Sequence, residues 1–233
     1  MKFKYVISET NDPFKNLALE HVLFGAVGSG RVILYLWQND NTIVIGKNQN
    51  INSECRVEEF EKAGGIIARR LSGGGAVYHD LGNLNFSFIC REKDIVNYQE
   101  IIKEALGHFG IQSAFNGRND LVVSGRKFSG NAVYNDGTVI CQHGTILIDS
   151  DIGKMSYYLT PDRSKLERHH VNSVESRVIN LSAVSGKVTI KSMIESMIRT
   201  TQAEKLDWQY KENDFIKEYK RFSNREWIFG GNI

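Results

Sequence analysis

Three consecutive glycines, Gly73-Gly74-Gly75, stand between two stretches that read as β-strands, residues 65–70 and Ala76 to His79. Glycine tolerates backbone angles closed to other residues, so the turn between these strands can fold tightly around a ligand. Bare N–H groups in such a turn form a concave anion site, and the flanking Arg70 supplies a guanidinium suited to phosphate or carboxylate. The segment is neither a Gly-Lys-Ser/Thr phosphate loop nor a G-x-G-x-x-G dinucleotide loop. Taken alone, three glycines also fit a plain hairpin loop. The Arg69-Arg70 pair beside them, and a second basic glycine segment further on, favour the anion cradle.

The rest of the composition sets bounds rather than a function. The 233 residues are 41% hydrophobic and 24% charged, as in an ordinary globular enzyme, and form one large domain or two small ones. The formal charge of +2 gives no footprint for nucleic acid. No apolar run reaches the roughly 20 residues of a membrane span, and the N-terminus has no signal-peptide core. Cys55, Cys90 and Cys141 lack metal-ligand spacing, so a reducing, cytoplasmic compartment is expected.

Asp12-Pro13 predicts a helix start, a capping carboxylate followed by proline, with Phe14, Ala18 and Val22 on one face and Gly28 and Gly30 ending it. Strands are expected at Arg31 to Trp37, Thr42 to Ile45, Leu84 to Ile89, Leu121 to Val123, Lys127 to Tyr134 and Thr138 to Ile148. Asn135-Asp136-Gly137 reads as the hairpin turn between the last two. Helices are expected from residue 52 or 53 to Gly64, over Tyr98 to Phe109, and at Val188 to Thr200 and Asp214 to Phe222. This order predicts an α+β fold, a mixed, mostly antiparallel sheet with packed helices.

In Ser124-Gly125-Arg126-Lys127-Phe128-Ser129-Gly130, Lys127 follows a tight turn and offers a mobile point charge; a solvated hairpin lysine is the plain alternative. Asp120, after Gly117-Arg118-Asn119, reads either as a turn-capping residue or as a Mg²⁺ ligand, since that ion needs only one or two carboxylates beside substrate phosphates. His143 interrupts an apolar strand, as a hydrogen-bonded core histidine or a site residue. Gly46-Lys47-Asn48-Gln49-Asn50 reads as a pocket wall or a polar loop.

Together these segments resemble the lipoate–protein ligase A family. Arg-Arg-x-Ser-Gly-Gly-Gly-Ala-Val-Tyr-His-Asp-x-Gly-Asn, Gly-Arg-Asn-Asp-Leu-Val-Val, Arg-Lys-x-Ser-Gly-x-Ala, His-Gly-Thr-x-Leu and Ser-Arg-Val-x-Asn-Leu stand in that family's order and spacing. The opening Asp-Pro-Phe-x-Asn-Leu-Ala-x-Glu and the Trp-x-Phe-Gly at 227–230 are similar too, so the resemblance runs along essentially the whole chain. It implies a biotin/lipoate ligase catalytic domain, related to class II aminoacyl-tRNA synthetases, over residues 1–233. It also implies a two-step reaction: lipoate and ATP, with Mg²⁺, give lipoyl-AMP, and the lipoyl group passes to a lysine of a lipoyl domain. Acceptors of that kind belong to 2-oxoacid dehydrogenases and the glycine-cleavage H protein. The resemblance puts nucleotide on Arg70, Gly75, Ala76, Val77, Tyr78 and Lys127. It puts the lipoyl group on Gly46, Ser72, His143, Gly144 and Lys127, and a metal on Asp120.

Many members of that family continue into a small accessory domain, and none is expected within residues 1–233, which leaves adenylation either self-sufficient or dependent on a separate accessory subunit. The alternatives of the same fold are an octanoyl or lipoyl acyltransferase working through a cysteine thioester, and a transferase using only preformed lipoyl-AMP. A lipoate- or lipoyl-AMP-binding module without catalysis is a third reading. Arg163, Lys165, Arg168, His169 and His170 form a basic cluster, either a solvated face or a surface that steers an acidic acceptor.

Overall fold

The computed structural model describes residues 1–116, 120–160 and 177–230. In chain order its strands are β1 (Lys2–Ile7), β2 (Arg31–Trp37), β3 (Thr42–Ile45), β4 (Ile66–Arg69), β5 (Val77–His79), β6 (Asn83–Arg91), β7 (Ala114–Asn116), β8 (Asp120–Val123), β9 (Arg126–Asn135), β10 (Val139–Leu147) and β11 (Glu204–Lys205). The helices are α1 (Pro13–Ala26), α2 (Ile51–Glu54), α3 (Val57–Lys62), α4 (Tyr98–Gly107), α5 (Ile152–Tyr158), α6 (Ile190–Thr201), α7 (Glu212–Phe222) and α8 (Arg225–Phe229). None is long and apolar enough to cross a membrane.

Eight strands form one sheet in the order β11-β1-β2-β6-β10-β9-β8-β7, and three form a second, β4-β3-β5. Among the described strands only β1 with β11, β1 with β2 and β3 with β4 run parallel, so the expected mixed, mostly antiparallel α+β architecture holds. Strand β2 is apolar on both faces because both are covered. Val32, Leu34 and Leu36 pack with Ile102 and Leu106 of α4 and Met193 and Met197 of α6. Ile33, Tyr35 and Trp37 pack with Leu17 and Leu23 of α1 and Phe222 of α7. The small sheet sits on that second face: Val44 and Ala68 join its cluster, while Ile43, Ile67 and Tyr78 turn outward onto Phe60 of α3, Met155 of α5 and Ile228 of α8.

Asp12 caps α1 as expected, its Oδ1 accepting from the Phe14 and Lys15 amides at 2.8 and 3.2 Å. The Asn135-Asp136-Gly137 turn joins the antiparallel β9 and β10, with Gly137 at φ +87°. Two pairings go beyond the sequence reading, and one expectation needs correction. The strands flanking the triglycine turn do not pair with each other; both pair with β3, which opens space beneath the turn. Strands β2 and β3 lie in different sheets. The expected helix from residue 52 or 53 to Gly64 breaks at Cys55, whose extended backbone (φ −155°, ψ 162°) separates α2 from α3.

Candidate active site

The site is built from rows of residues that cross the large sheet on the α1 face. Trp37 of β2 faces Asn85 of β6, and Asn85 faces Thr145 of β10. The Gly130 amide of β9 donates to Thr145 Oγ1 at 3.3 Å, and Gly130 faces Asp120 of β8. Two residues along, Tyr35, Ser87, His143 and Ala132 form a parallel row. Above this floor lie Val44, Val77, His79 and the glycine turn, with Leu17 of α1 at the side.

These walls enclose a cavity of about 230 Å³. A larger space of about 630 Å³ continues from it, lined by Ala76, Val77, Tyr78, Arg177 and Met155 among others. Ala76, Val77, Asp120, Lys127, Gly130 and Thr145 border both, so Lys127 stands where the two meet.

A local irregularity puts it there. Val122 pairs with Lys127 but Leu121 pairs with Ser129, so β9 carries one extra residue, Phe128. Such a bulge reverses which face later side chains take. Phe128 goes into the core below the sheet, while Lys127 joins Gly130 on the cavity side. The preceding turn is a two-residue hairpin with Ser124 and Gly125 both at positive φ (51° and 74°). Lys127 Nζ, half-buried, lies 2.8 Å from Asp120 Oδ1. Gly130 leaves room for it: a Cβ there would sit 2.9 Å from Nζ.

The glycine turn is organised by Arg70. Its buried guanidinium donates to Ser72 Oγ (3.0 Å) and to the carbonyls of Val44 (3.0 Å), Gly73 (2.7 Å) and Gly75 (2.8 Å). A trans peptide points its N–H opposite its carbonyl, so the Gly74 and Ala76 amides face away from Arg70. Among the described residues no hydrogen bond takes up the N–H groups of residues 73–76. Gly74 adopts φ +92°, and Gly46 packs so closely that a Cβ would lie 2.0 Å from the Gly74 oxygen. Burial lowers the Arg70 pKa to about 10, with Glu20 and Glu54 opposing the drop, so the group stays cationic near neutrality.

Ser72 Oγ lies 2.6 Å from His143 Nε2, and His143 Nδ1 lies 2.8 Å from Glu20 Oε1, which also accepts from Ser87 Oγ at 2.5 Å. Burial resists ionisation of Glu20, but His143 and the hydrogen bonds from Ser87 and Cys141 outweigh it and hold the carboxyl below its usual value. This buried chain ties α1 to the glycine turn through β10.

The sequence-selected residues therefore separate. Ala76, Val77, Tyr78 and Lys127 line the larger space, whereas Arg70, Gly75, His143 and Gly144 line the smaller cavity only. Gly46 and Ser72 line neither and set the shape of the turn from behind. The Gly46–Asn50 loop borders neither of these two cavities; Arg69 holds it through the carbonyls of Gly46, Lys47 and Gln49 and grips the Trp227 and Ile228 carbonyls of α8. Asp120 presents one carboxylate at the junction. The basic cluster at 163–170 and Arg118 lie outside the described residues. Glu20, His79, Asn85 and Arg177 were not singled out from the sequence. Glu20, His79 and Arg177 stand inside segments that carried the resemblance, while Asn85 gave only a buried-strand pattern.

A sheet-floored double cavity with an arginine-braced glycine turn and a lysine at the neck is a site suited to anionic ligands. Residues 12–202 match the family model described as the lipoyl protein ligase A/B catalytic domain, and the chain belongs to that family. Lipoate-protein ligase A of Blochmanniella floridana is 36% identical over 97% of this chain and 72% of its own length. The P. falciparum LipL1 structure, solved in complex with lipoate, is 31% identical with a TM-score of 0.79, covering 98% of this chain and 74% of its own. The fold is also that of a lipoate-protein ligase A bound with ATP, 23% identical with a TM-score of 0.83 and covering 99% of each chain.

Proposed function

We propose that this chain, as a lipoate–protein ligase, binds the lipoyl group in the smaller cavity and ATP in the larger one, with Lys127 serving both. The observation that carries the reading is the position of Lys127 where the smaller cavity, which the glycine turn borders, meets the larger space. The first step forces a carboxylate against an α-phosphate. An oxygen of lipoate attacks phosphorus, the bond to pyrophosphate breaks and lipoyl-AMP forms. Lys127 and the outward amides of the turn offset the repulsion, and fixed donors of this kind lower such barriers. In the second step an acceptor amine attacks the acyl carbonyl, loses a proton, and AMP leaves with the C–O electron pair. The same ammonium stabilises the oxygen that becomes anionic.

Asp120, which lines the larger space together with Glu54, fits Mg²⁺ held by one or two carboxylates and mostly by substrate phosphates and water. That ion would neutralise phosphate charge, and Arg177 adds a cation to the same wall. The residues described act as one catalytic unit, since the glycine turn is braced from α1, β3, β10 and α8 together. The acceptor is a lysine of a lipoyl domain, of the 2-oxoacid dehydrogenase or glycine-cleavage H protein kind.

The cysteine-thioester alternative finds no support. Burial pushes the Cys55 and Cys90 thiols up to about 11, and burial plus the Glu20 carboxylate raises Cys141 well above its ordinary value. None is poised as a thiolate. The test is to supply the purified chain with lipoate and ATP, or with preformed lipoyl-AMP, together with an apo lipoyl domain. A lipoyl mass gain on the acceptor lysine is expected. No lipoate binding, and no acceptor modification from either donor, would overturn the reading.

A further inference from the structure

Two buried nitrogens at the inner end of the smaller cavity have no partner among the described residues. His79 is 3% exposed and Asn85 1%, and both line that cavity. The unpartnered atoms are His79 Nε2 and Asn85 Nδ2. Buried polar atoms are normally hydrogen-bonded, so two on one cavity wall point to an occupant.

The state of His79 follows from neighbouring amides. Asn16 Nδ2 donates to the Thr10 and Gln38 carbonyls at 3.1 and 2.8 Å, which fixes its nitrogen end. The same nitrogen also faces Asn39 Oδ1 at 2.9 Å, its two hydrogens shared among the three oxygens, so the other end of Asn39 is the NH₂ that meets His79 Nδ1 at 3.1 Å. With Nδ1 accepting, the proton of the neutral ring sits on Nε2. Burial, aided by Arg70 and His143, keeps the ring neutral by lowering its pKa to about 3. His79 thus holds a donor without an acceptor.

Its place in the cavity is the far end from Lys127. The His79 ring lies 6.0 Å from Trp37, which faces Asn85 across the sheet. Lys127 rests against Gly130 on β9, two strand spacings from Asn85 on β6, or about 10 Å. A carboxylate at Lys127 therefore places the distal end of an eight-carbon acyl chain near His79.

We propose that His79 Nε2–H, assisted by Asn85, distinguishes a terminal cyclic disulfide from a plain alkyl end by donating to a ring sulfur. This rests on the reading that the smaller cavity holds the acyl group. Sulfur accepts weakly, but a methyl terminus accepts nothing and leaves the donor stranded. A site built to donate rejects the analogue that lacks the acceptor.

The test compares lipoate with octanoate by kcat/KM for pyrophosphate release, or by calorimetric affinity. In the wild type lipoate is favoured. In His79→Phe that preference falls about five- to tenfold, and His79→Gln, which keeps a donor near the Nε2 position, restores part of it. As a check free of folding effects, ¹⁵N NMR of the wild type should show the His79 Nε2–H resonance shifted by lipoate and not by octanoate. An unchanged preference in a folded His79→Phe, or equal shifts with both acids, overturns the proposal while leaving the ligase reading intact. Failure of the wild type to bind either acid removes the ligase reading itself.

Discussion

The Lys127 ammonium is 2.8 Å from Asp120 and pressed against Gly130, a position that exists only because Phe128 is inserted as a bulge. Its sequence signal was a lysine after a tight turn, which fits a solvated side chain equally well; the family resemblance separated the two. His143 was legible as a polar break in an apolar strand. That it contacts Glu20 and Ser72 was not, because their proximity arises from packing of α1 and the glycine turn on the sheet. His79 carries a pH prediction. Burial depresses its pKa to about 3, while an unfolded histidine takes up a proton near pH 6.5. The unfolded state therefore gains protons first on acidification. The resulting stability is complete above pH 6.5 and declines toward pH 3, by up to about 1.4 kcal/mol per pH unit. Denaturant titrations at pH 7.0, 6.0 and 5.0 should show that decline, and His79→Gln should flatten it. An equal slope in both proteins would contradict the assignment.

Glycines in and beneath the turn have unequal duties. Gly46→Ala would place a Cβ 2.0 Å from the Gly74 oxygen, and backbone there yields only by moving the turn. Overpacking of this kind costs about 1–3 kcal/mol, and adenylation should fall with it because the displaced amides no longer meet phosphate. Gly73→Ala meets nothing within 4 Å, so its denaturation midpoint should stay near that of the wild type. Equal midpoints for the two variants would show that the turn is not braced by Gly46. At this scale the sequence patterns located the long elements within a few residues: α1, β2, β6, β9, β10 and α6. They did not reveal β1, β7 or β11. Strands β7 and β11 are very short and exposed, and β1 is mostly half-buried, so none shows a clean alternation. Nor did they reveal that β4 and β5 both pair with β3, since pairing is a long-range choice that local alternation does not encode.

Across the whole molecule, the large sheet supplies a floor, the small sheet a roof, and their offset leaves two connected spaces. A ligand spanning both should stabilise the fold more than one filling either. A stable lipoyl-AMP analogue should raise the melting temperature beyond lipoate or AMP alone, and at a hundredfold excess over its Kd the added stability is about 2.7 kcal/mol. Equal shifts for all three ligands would mean that the spaces act separately.

The most direct measurement takes Lys127→Ala through both half-reactions: pyrophosphate release from ATP and lipoate, and lipoyl transfer from preformed lipoyl-AMP to an apo lipoyl domain. With a circular dichroism spectrum and melting temperature like the wild type, both rates should fall by about 10²–10³, the loss of one charge-stabilising contact. A folded variant that performs either half-reaction at the wild-type rate would contradict the claim that one ammonium serves both cavities.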